Sequence, residues 1–358
     1  MQNNQAIPFN KENFKQILSK EFALVIIVSV PAAIVASYLN IPLAWFLGPM
    51  LITSIISLAG VKIKMPKLIL STVLILLGLY IGNYVDKSLF YQMHQWAWTS
   101  LIMLAYIIVS VLLVSKYLQK FSGYGEKTSI FSAAPGALGP LLILAEDEKS
   151  DLSQVATSHL IRLIIIITVF PFVVNSFYDT ENIKLAETIL ENQNISHLLI
   201  LIALSIVLIV LFDKLKIPAA LLSGTLVASG FLKITEIASY KLPPNIIDYC
   251  LLILGSSVGC RFADKTFNEI AKNALHSFVA TFFLVVLGLI AAFVAGLVID
   301  KNFFTLLLSY CPGGIYEVAV IAIFFDLDPE FVSFHHIIRL LMILFTVPVI
   351  LKIISKKA

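Results

Sequence analysis

The chain alternates between long apolar runs and short polar connections along most of its length. Six apolar segments precede a polar, acidic stretch, and six more follow it. Several of them are long enough to cross a hydrocarbon core about 30 Å thick as α-helices. The pattern therefore predicts an all-α polytopic membrane protein. The segments lie near residues 22–38, 41–60, 68–85, 97–118, 129–146, 153–176, 198–214, 217–235, 246–261, 275–299, 302–325 and 331–354.

The acidic stretch divides the chain into two halves. We predict a cytoplasmic N-terminal tail at 1–21, a first membrane repeat at 22–176, an acidic linker at 177–196 and a second membrane repeat at 197–354. The first apolar run lacks a small-residue cleavage site, so we expect no cleavable signal peptide.

The two halves repeat each other. "DLSQVATSHLIRL" (151–163) and "DPEFVSFHHIIRL" (328–340) share Asp, Val, His, Ile, Arg and Leu at an offset of 177 residues, from 151 to 328. Pro-Gly recurs at the same offset, as do the GxxxG patterns that predict close helix packing. Composition alone does not place Pro-Gly, Asp, His and Arg at one offset. We infer an internal duplication with six segments in each half.

The number of membrane crossings decides whether the repeats are inverted or parallel. If the Pro-Gly segments at 129–146 and 302–325 enter and leave by one face, each half crosses five times and the repeats are inverted. If those segments cross fully, the repeats are parallel. Cytoplasmic loops are enriched in Lys and Arg, and five crossings place more of the 25 basic residues inside. We therefore predict ten crossings, inverted repeats and both termini in the cytoplasm.

Composition agrees with a membrane protein. Hydrophobic residues make up 59% of the 358 residues and charged ones 13%, with a mean hydropathy of +0.94. A soluble domain has about 45–50% and about 25%. The net charge of +3 gives no reason to expect a nucleic-acid partner. The three cysteines show no CxxC spacing, so we expect neither a disulfide framework nor a bound metal.

Each half carries a Pro-Gly break inside an apolar segment. Pro135 and Gly136 interrupt the first segment, and Pro312, Gly313 and Gly314 interrupt the second. A broken helix in lipid survives only where protein or water satisfies the freed backbone groups. In secondary transporters such half-helix ends bind solutes and ions. We predict a binding site at the two breaks; the alternative is that proline and glycine only kink two packed helices.

A polar helix face follows each break. His159 and Arg162 share one face in the first half, and His336 and Arg339 share one in the second. An arginine near the centre of a membrane helix costs about 2.5–3.5 kcal/mol, so it must face protein or water. Each arginine is predicted to bind an anionic group or to cap freed carbonyls. Each histidine is predicted to be a polar contact between helices or a proton carrier.

Glu317 has no counterpart in the first half, where Pro140 takes its place. It follows the second break within one turn, where the helix dipole stabilises a carboxylate. It can also exchange a proton or bind Na⁺. Because only the second half has this carboxylate, we assign Arg339 to a solute or to Glu317, and Arg162 mainly to freed carbonyls.

These motifs resemble the AbrB family of bacterial membrane proteins, which is distinct from the small soluble DNA-binding AbrB. The resemblance covers the whole chain, although "PGALGP" in the first half departs from it because no Glu follows. The family carries two functional labels, ammonia monooxygenase and regulator of gene expression. The resemblance therefore implies these labels for the chain, but it implies no mechanism. The residues that carry it in the second half are Pro312, Gly313, Gly314, Glu317, Asp328, His336 and Arg339.

The sequence leaves three candidate functions. A transporter for a small, anionic or amphiphilic solute, with H⁺ or Na⁺ as a coupling ion, fits the breaks and the arginines best. A membrane regulator that acts indirectly on gene expression is the alternative. An oxidative enzyme fits worst, because the six histidines show no HxH or HxxxH spacing. We expect no enzyme and no cofactor, a bacterial cell membrane as the location, and the bilayer and a small solute as partners; the sequence also allows an oligomer.

Overall fold

The computed structural model describes residues 11–85, 87–177, 195–238, 240 and 242–355, and within these ranges it contains α-helices and no strand. The predicted all-α fold class is confirmed. Most of the predicted linker lies outside the described residues. The helices are α1 (Lys11–Ile17), α2 (Lys20–Tyr38), α3 (Ala44–Leu58), α4 (Lys67–Gly82), α5 (Ser88–Ser122), α6 (Glu126–Ala133), α7 (Leu138–Asp147), α8 (Leu152–Phe177), α9 (Ile195–Lys214), α10 (Ala220–Ile234), α11 (Pro244–Cys260), α12 (Phe267–Gly296), α13 (Phe303–Tyr310), α14 (Ile315–Phe324) and α15 (Pro329–Ser355).

The lengths of the apolar helices show a multi-pass membrane protein. Within the described ranges, 6 helices are long and apolar enough to span a membrane, namely α2, α5, α8, α9, α12 and α15. Helices α3, α4, α10 and α11 are also apolar but have only 15, 16, 15 and 17 residues. At about 1.5 Å per residue they are somewhat shorter than the hydrocarbon core. The ten predicted crossings require these four helices to span as well, and stay a prediction.

The helices form two compact units, and each unit takes helices from both halves of the sequence. Unit 1 contains α1–α4 and α9–α11. Unit 2 contains α5, α6, α7, most of α8, α12, α13 and α15. The chain passes from unit 2 to unit 1 within α8, before Pro171, and within α14, after Val318. All the candidate site residues named above therefore lie in unit 2.

Glycines bring the helices of unit 1 into close contact. A Cβ atom on Gly82 of α4 would overlap the side chain of Ser229 on α10. A Cβ atom on Gly259 of α11 would overlap the Thr53 hydroxyl on α3 in the same way. Any side chain at these positions would separate the helix pairs. The close packing predicted from the GxxxG patterns at 78–82 and 255–259 is confirmed.

In unit 2 the first broken segment turns back on itself. Lys127, near the start of α6, forms an ion pair with Glu148, which follows the last residue of α7. The backbone N–H of Asp151 also donates to Thr128 Oγ1 at 3.1 Å. The segment formed by α6 and α7 thus begins and ends at the same place.

The second broken segment shows a related contact. Lys301, just before α13, places its ammonium nitrogen 5.7 Å from the ring centroid of Phe331, near the start of α15. Segments that enter and leave by one face are what five crossings in each half require. These contacts favour inverted repeats, and the inverted relation itself stays a prediction.

The topology can be tested by labelling two exposed positions of unit 2 from each side of the membrane. In a background without the native cysteines, we expect Asp147→Cys to react with an impermeant maleimide only from the cytoplasmic side. We expect Asp300→Cys to react only from the opposite side. With parallel repeats and six crossings per half, Asp147→Cys would react only from the opposite side and Asp300→Cys only from the cytoplasmic side.

Candidate functional site

The first break separates α6 from α7 through four residues. Ala134 is extended, with φ −61° and ψ 130°. Gly136 has φ +123°, and Ala137 has φ 64°. The Gly136 conformation is one that side-chain-bearing residues rarely adopt, so glycine is required there. The helix break predicted at Pro135 and Gly136 is confirmed.

The second break has the same local backbone at its start. Cys311, which follows α13, is extended with φ −60° and ψ 131°. The N–H of Gly313 donates to the Cys311 carbonyl at 2.8 Å. In the first break, the N–H of Gly136 donates to the Ala134 carbonyl at 2.9 Å. Both breaks therefore start with the same tight turn around a proline, and the break predicted at 312–314 is confirmed.

Arg162 is hydrogen-bonded to the backbone of the first break. Its side chain is only 2% exposed. Nη1 donates to the carbonyl of Ala134 and Nη2 donates to the carbonyl of Ser132. Both carbonyls lie at the end of α6, where no further turn of helix supplies an N–H group to them. Arg162 thus caps the freed carbonyls, as the sequence predicted.

Arg339 is hydrogen-bonded to the backbone of the second break in the same way. It is also 2% exposed. Nη1 donates to the carbonyl of Cys311, and Nη2 donates to the carbonyl of Gly313 at 2.6 Å. The sequence predicted unequal roles, with Arg339 reserved for a solute or for Glu317. The contacts show that both arginines cap freed carbonyls with their Nη atoms, and the assignment of Arg339 to a solute stays a prediction.

The two histidines connect the same helices. His159 Nε2 lies 3.0 Å from the carbonyl of Phe131, and His336 Nε2 lies 3.0 Å from that of Leu308. His336 Nδ1 is 3.0 Å from Arg339 Nη2. Since arginine can only donate, Nδ1 accepts and His336 carries a single proton, on Nε2. The structure shows both histidines as polar contacts between helices, and a proton-carrier role stays a prediction.

The two breaks lie close to each other's arginine helices. A Cβ atom on Gly136 would lie 3.0 Å from Nη2 of Arg339, and one on Gly314 would lie 3.3 Å from Leu163 Cδ1, next to Arg162. The two guanidinium groups are near enough to repel each other. Unit 2 thus places two like charges in one buried region, which is unfavourable unless an opposite charge joins them.

Glu317 supplies one negative charge to this region. It lies in the first turn of α14 and is 1% exposed. A Cβ atom on Gly314 would overlap its carboxylate, so the carboxylate rests against the second break. Among the described residues, the buried charged side chains are Arg162, Arg339, Glu317 and Glu330. The last of these belongs to unit 1.

The Nε–H of each arginine is a donor that the fold does not use. Arg162 Nε and Arg339 Nε are buried and have no hydrogen-bond acceptor among the residues that the structure describes. An unsatisfied buried donor costs about 1–3 kcal/mol, more for a charged group. Two such donors lie in one buried region of unit 2.

Comparison with known proteins gives the family. A family described as "Transition state regulatory protein AbrB" matches this chain over residues 2–82 and 45–355. The chain belongs to the AbrB family. The predicted resemblance is confirmed.

Two relatives show how widely the AbrB family differs in sequence. "Putative regulator AbrB" of Escherichia coli K12 is 24% identical over 326 residues, 89% of this chain and 92% of its own length. "Uncharacterized protein YhjN" of Bacillus subtilis 168 is 20% identical over 288 residues, 76% of this chain and 75% of its own. No solved structure matches the chain.

Sequence reasoning missed several polar residues around the AbrB-family site. Tyr106 on α5 is buried, donates to the carbonyl of Leu284 at 3.3 Å, and interacts electrostatically with both arginines. Thr99, also on α5, contacts His335 Nε2 at 2.8 Å. The signal was a threonine and a tyrosine inside an otherwise apolar span, but their proximity to the arginines depends on how α5 packs.

A cavity of about 410 Å³ lies between α6, α7 and the last turns of α15. Phe131 belongs to its lining, and the carbonyl of Phe131 faces His159. The adjoining carbonyl of Ser132 accepts from Arg162. The cavity is therefore separated from the arginine by a short piece of α6. Its other lining residues are Glu126, Lys127, Leu144, Asp147, Glu148, Pro348, Leu351 and Lys352.

Proposed function

We propose that this AbrB-family protein is a membrane transporter for a small, anionic or amphiphilic solute that binds at the two breaks of unit 2. One observation carries the proposal. Two buried, mutually repelling guanidinium groups each hold a helix break, and each has an Nε–H without an acceptor. An anion between them would offset the repulsion and accept both donors.

The breaks supply the second part of the argument. A continuous helix would satisfy its own carbonyls and would need no buried arginine. This chain instead has two breaks, each with a buried arginine on its freed carbonyls. Such an arrangement is costly for stability alone, and it resembles the half-helix sites of secondary transporters. The interrupted backbone is therefore best explained by a solute that binds there.

The cavity beside α6 supports a route to this site. Its lining includes charged residues at the end of α7 and apolar residues such as Phe131 and Leu144. A solute with one charged and one apolar part could occupy both kinds of surface. We further propose a bacterial cell membrane as the location, cytoplasmic termini, and H⁺ or Na⁺ as the coupling ion, with Glu317 as the carboxylate that would bind it.

A thermal-shift screen tests the proposal. The detergent-purified protein is melted with metabolite anions and with Na⁺ at several pH values, because a ligand of the native state raises the melting temperature. We expect small organic anions to raise it and neutral analogues to leave it unchanged. Lys272→Gln, which removes an exposed charge of α12, should keep the full response. Equal shifts with anions and their neutral analogues would rule out an anion site.

The name of the Escherichia coli relative favours a second candidate function, a membrane regulator. In this chain, regulation would follow from the solute that is moved or bound. A variant that has lost anion binding, produced at the normal level, should then also lose any effect on gene expression. Retained regulation in such a variant would separate the two functions.

The oxidative-enzyme label gains no support from the site. In the described part of the chain, no three His, Cys, Asp or Glu side chains come together in a way that could hold a metal ion. The buried histidines instead contact backbone carbonyls of α6 and α13.

A further inference from the structure

The charges buried in unit 2 define the charge of the ligand. Arg162 and Arg339 each carry one positive charge, since arginine stays protonated in proteins. Glu317, in the first turn of α14, carries one negative charge that the helix dipole stabilises. With no coupling ion on Glu317, the three described groups sum to one positive charge. A buried region with a net charge is costly, and a ligand of opposite charge removes that cost.

The buried histidines are neutral and add no charge to the sum of the two arginines and Glu317. His336 holds one proton, on Nε2, because Nδ1 accepts from Arg339. His159 and His335 are buried and contact neutral groups, the carbonyls of Phe131 and Phe331, where an ionised imidazole is disfavoured. Tyr106 and Tyr310, two of the buried phenols, donate to carbonyls of Leu284 and Thr99 as neutral groups.

The unused donors define the shape of the ligand. Each Nη atom of both arginines already donates to a backbone carbonyl, whereas the Nε–H of each arginine has no acceptor among the described residues. A single acceptor atom would serve one arginine well. A group with two or more oxygens can accept from both and can bridge the two charges.

We infer that the site takes a singly charged oxyanion, such as a carboxylate or a sulfonate, whose charge matches the three buried charges and whose oxygens accept both Nε–H groups. This inference rests on the proposed function and narrows it. It excludes dianions as preferred ligands, and it gives Glu317 a definite role. Glu317 sets the charge of the ligand by cancelling one arginine.

The test compares anions with the same head group and different charge. Methanesulfonate and sulfate form one pair, and acetate and malonate form a second that distinguishes sulfonates from carboxylates. Melting temperatures and Kd values of the detergent-purified full chain are measured at neutral pH and equal ionic strength. We expect the native protein to bind the monoanion of at least one pair about tenfold more tightly than its dianion, a difference of about 1.4 kcal/mol.

Glu317→Gln provides the decisive variant. It keeps the size of the side chain and raises the sum to two positive charges, so the dianion should become the better ligand of the same pair. Lys272→Gln removes a charge at an exposed position and should leave the native preference unchanged.

The outcomes are distinguishable. If no anion of either pair stabilises the native protein, the proposed function itself is wrong. If the native protein prefers dianions, or if Glu317→Gln leaves the preference unchanged, anion binding stands and the charge-matching inference is overturned. Should Glu317→Gln fail to fold, the preference of the native protein for monoanions still decides the inference.

Discussion

Replacing Gly136 by alanine is expected to destabilise the protein and abolish anion binding. The backbone at this position has φ +123°, a conformation that costs a residue with a side chain about 1–3 kcal/mol. The new Cβ atom would also lie only 3.0 Å from Arg339 Nη2, so the guanidinium group must move. The melting temperature without ligand and the anion-induced shift measure the two effects.

Gly139 offers a matched control three residues away. It lies in the first turn of α7, and a Cβ atom there would meet nothing within 4 Å. Alanine in a helix is more favourable than glycine by about 1 kcal/mol. We expect Gly139→Ala to be neutral or stabilising and to bind anions normally. If Gly136→Ala and Gly139→Ala had the same melting temperature and the same anion-induced shift, the strained turn at Gly136 would have no role.

Replacing either buried arginine by glutamine is expected to have the second large effect. Each change removes a charge and leaves at least one carbonyl of a break without its donor, at a cost of about 1–3 kcal/mol per group. Because Arg162 and Arg339 make the same kind of contact, both variants should melt at lower temperature. Both should also lose anion binding, since each supplies one Nε–H. Arg→Lys keeps the charge without the planar fork and should recover little of either property.

The exposed Lys272 serves as the control for lost charge. Lys272→Gln changes the net charge by the same amount as either arginine variant, so it should keep both the melting temperature and the anion response. If only one of the two arginine variants lost stability and anion binding, the two arginines would have the different roles that the sequence first suggested.

Much of the fold could be predicted from the sequence because its signals are local. The apolar runs predicted the helices to within a few residues in most cases, and the Pro-Gly pairs predicted where α6 and α13 end. Proline cannot continue the hydrogen-bond ladder, and glycine permits the turn that follows. The GxxxG patterns were equally local, since small residues allow helices to approach wherever they occur.

The parts that sequence reasoning could not supply depend on tertiary packing. Arg339 was assigned to a solute because Glu317 made the second half look different. The freed carbonyls at Cys311 and Gly313 were present in that half too, and they hold the Nη atoms. The proximity of Gly136 to Arg339 joins residues from opposite halves, and no spacing in the sequence encodes it. The two compact units likewise draw on both halves, which the linear repeat did not reveal.

The claim that a solute binds at the two breaks can be tested most directly by locating a bound anion. Crystals of the full chain grown with 4-bromobenzoate, an aryl bromide that does not alkylate thiols, would show the bromine by its anomalous scattering. The account predicts a peak in unit 2 near Gly136 and Gly313, with the carboxylate in hydrogen-bonding distance of Nε of Arg162 and Arg339. Bromobenzoate bound only at other places, with none at the breaks, would contradict it.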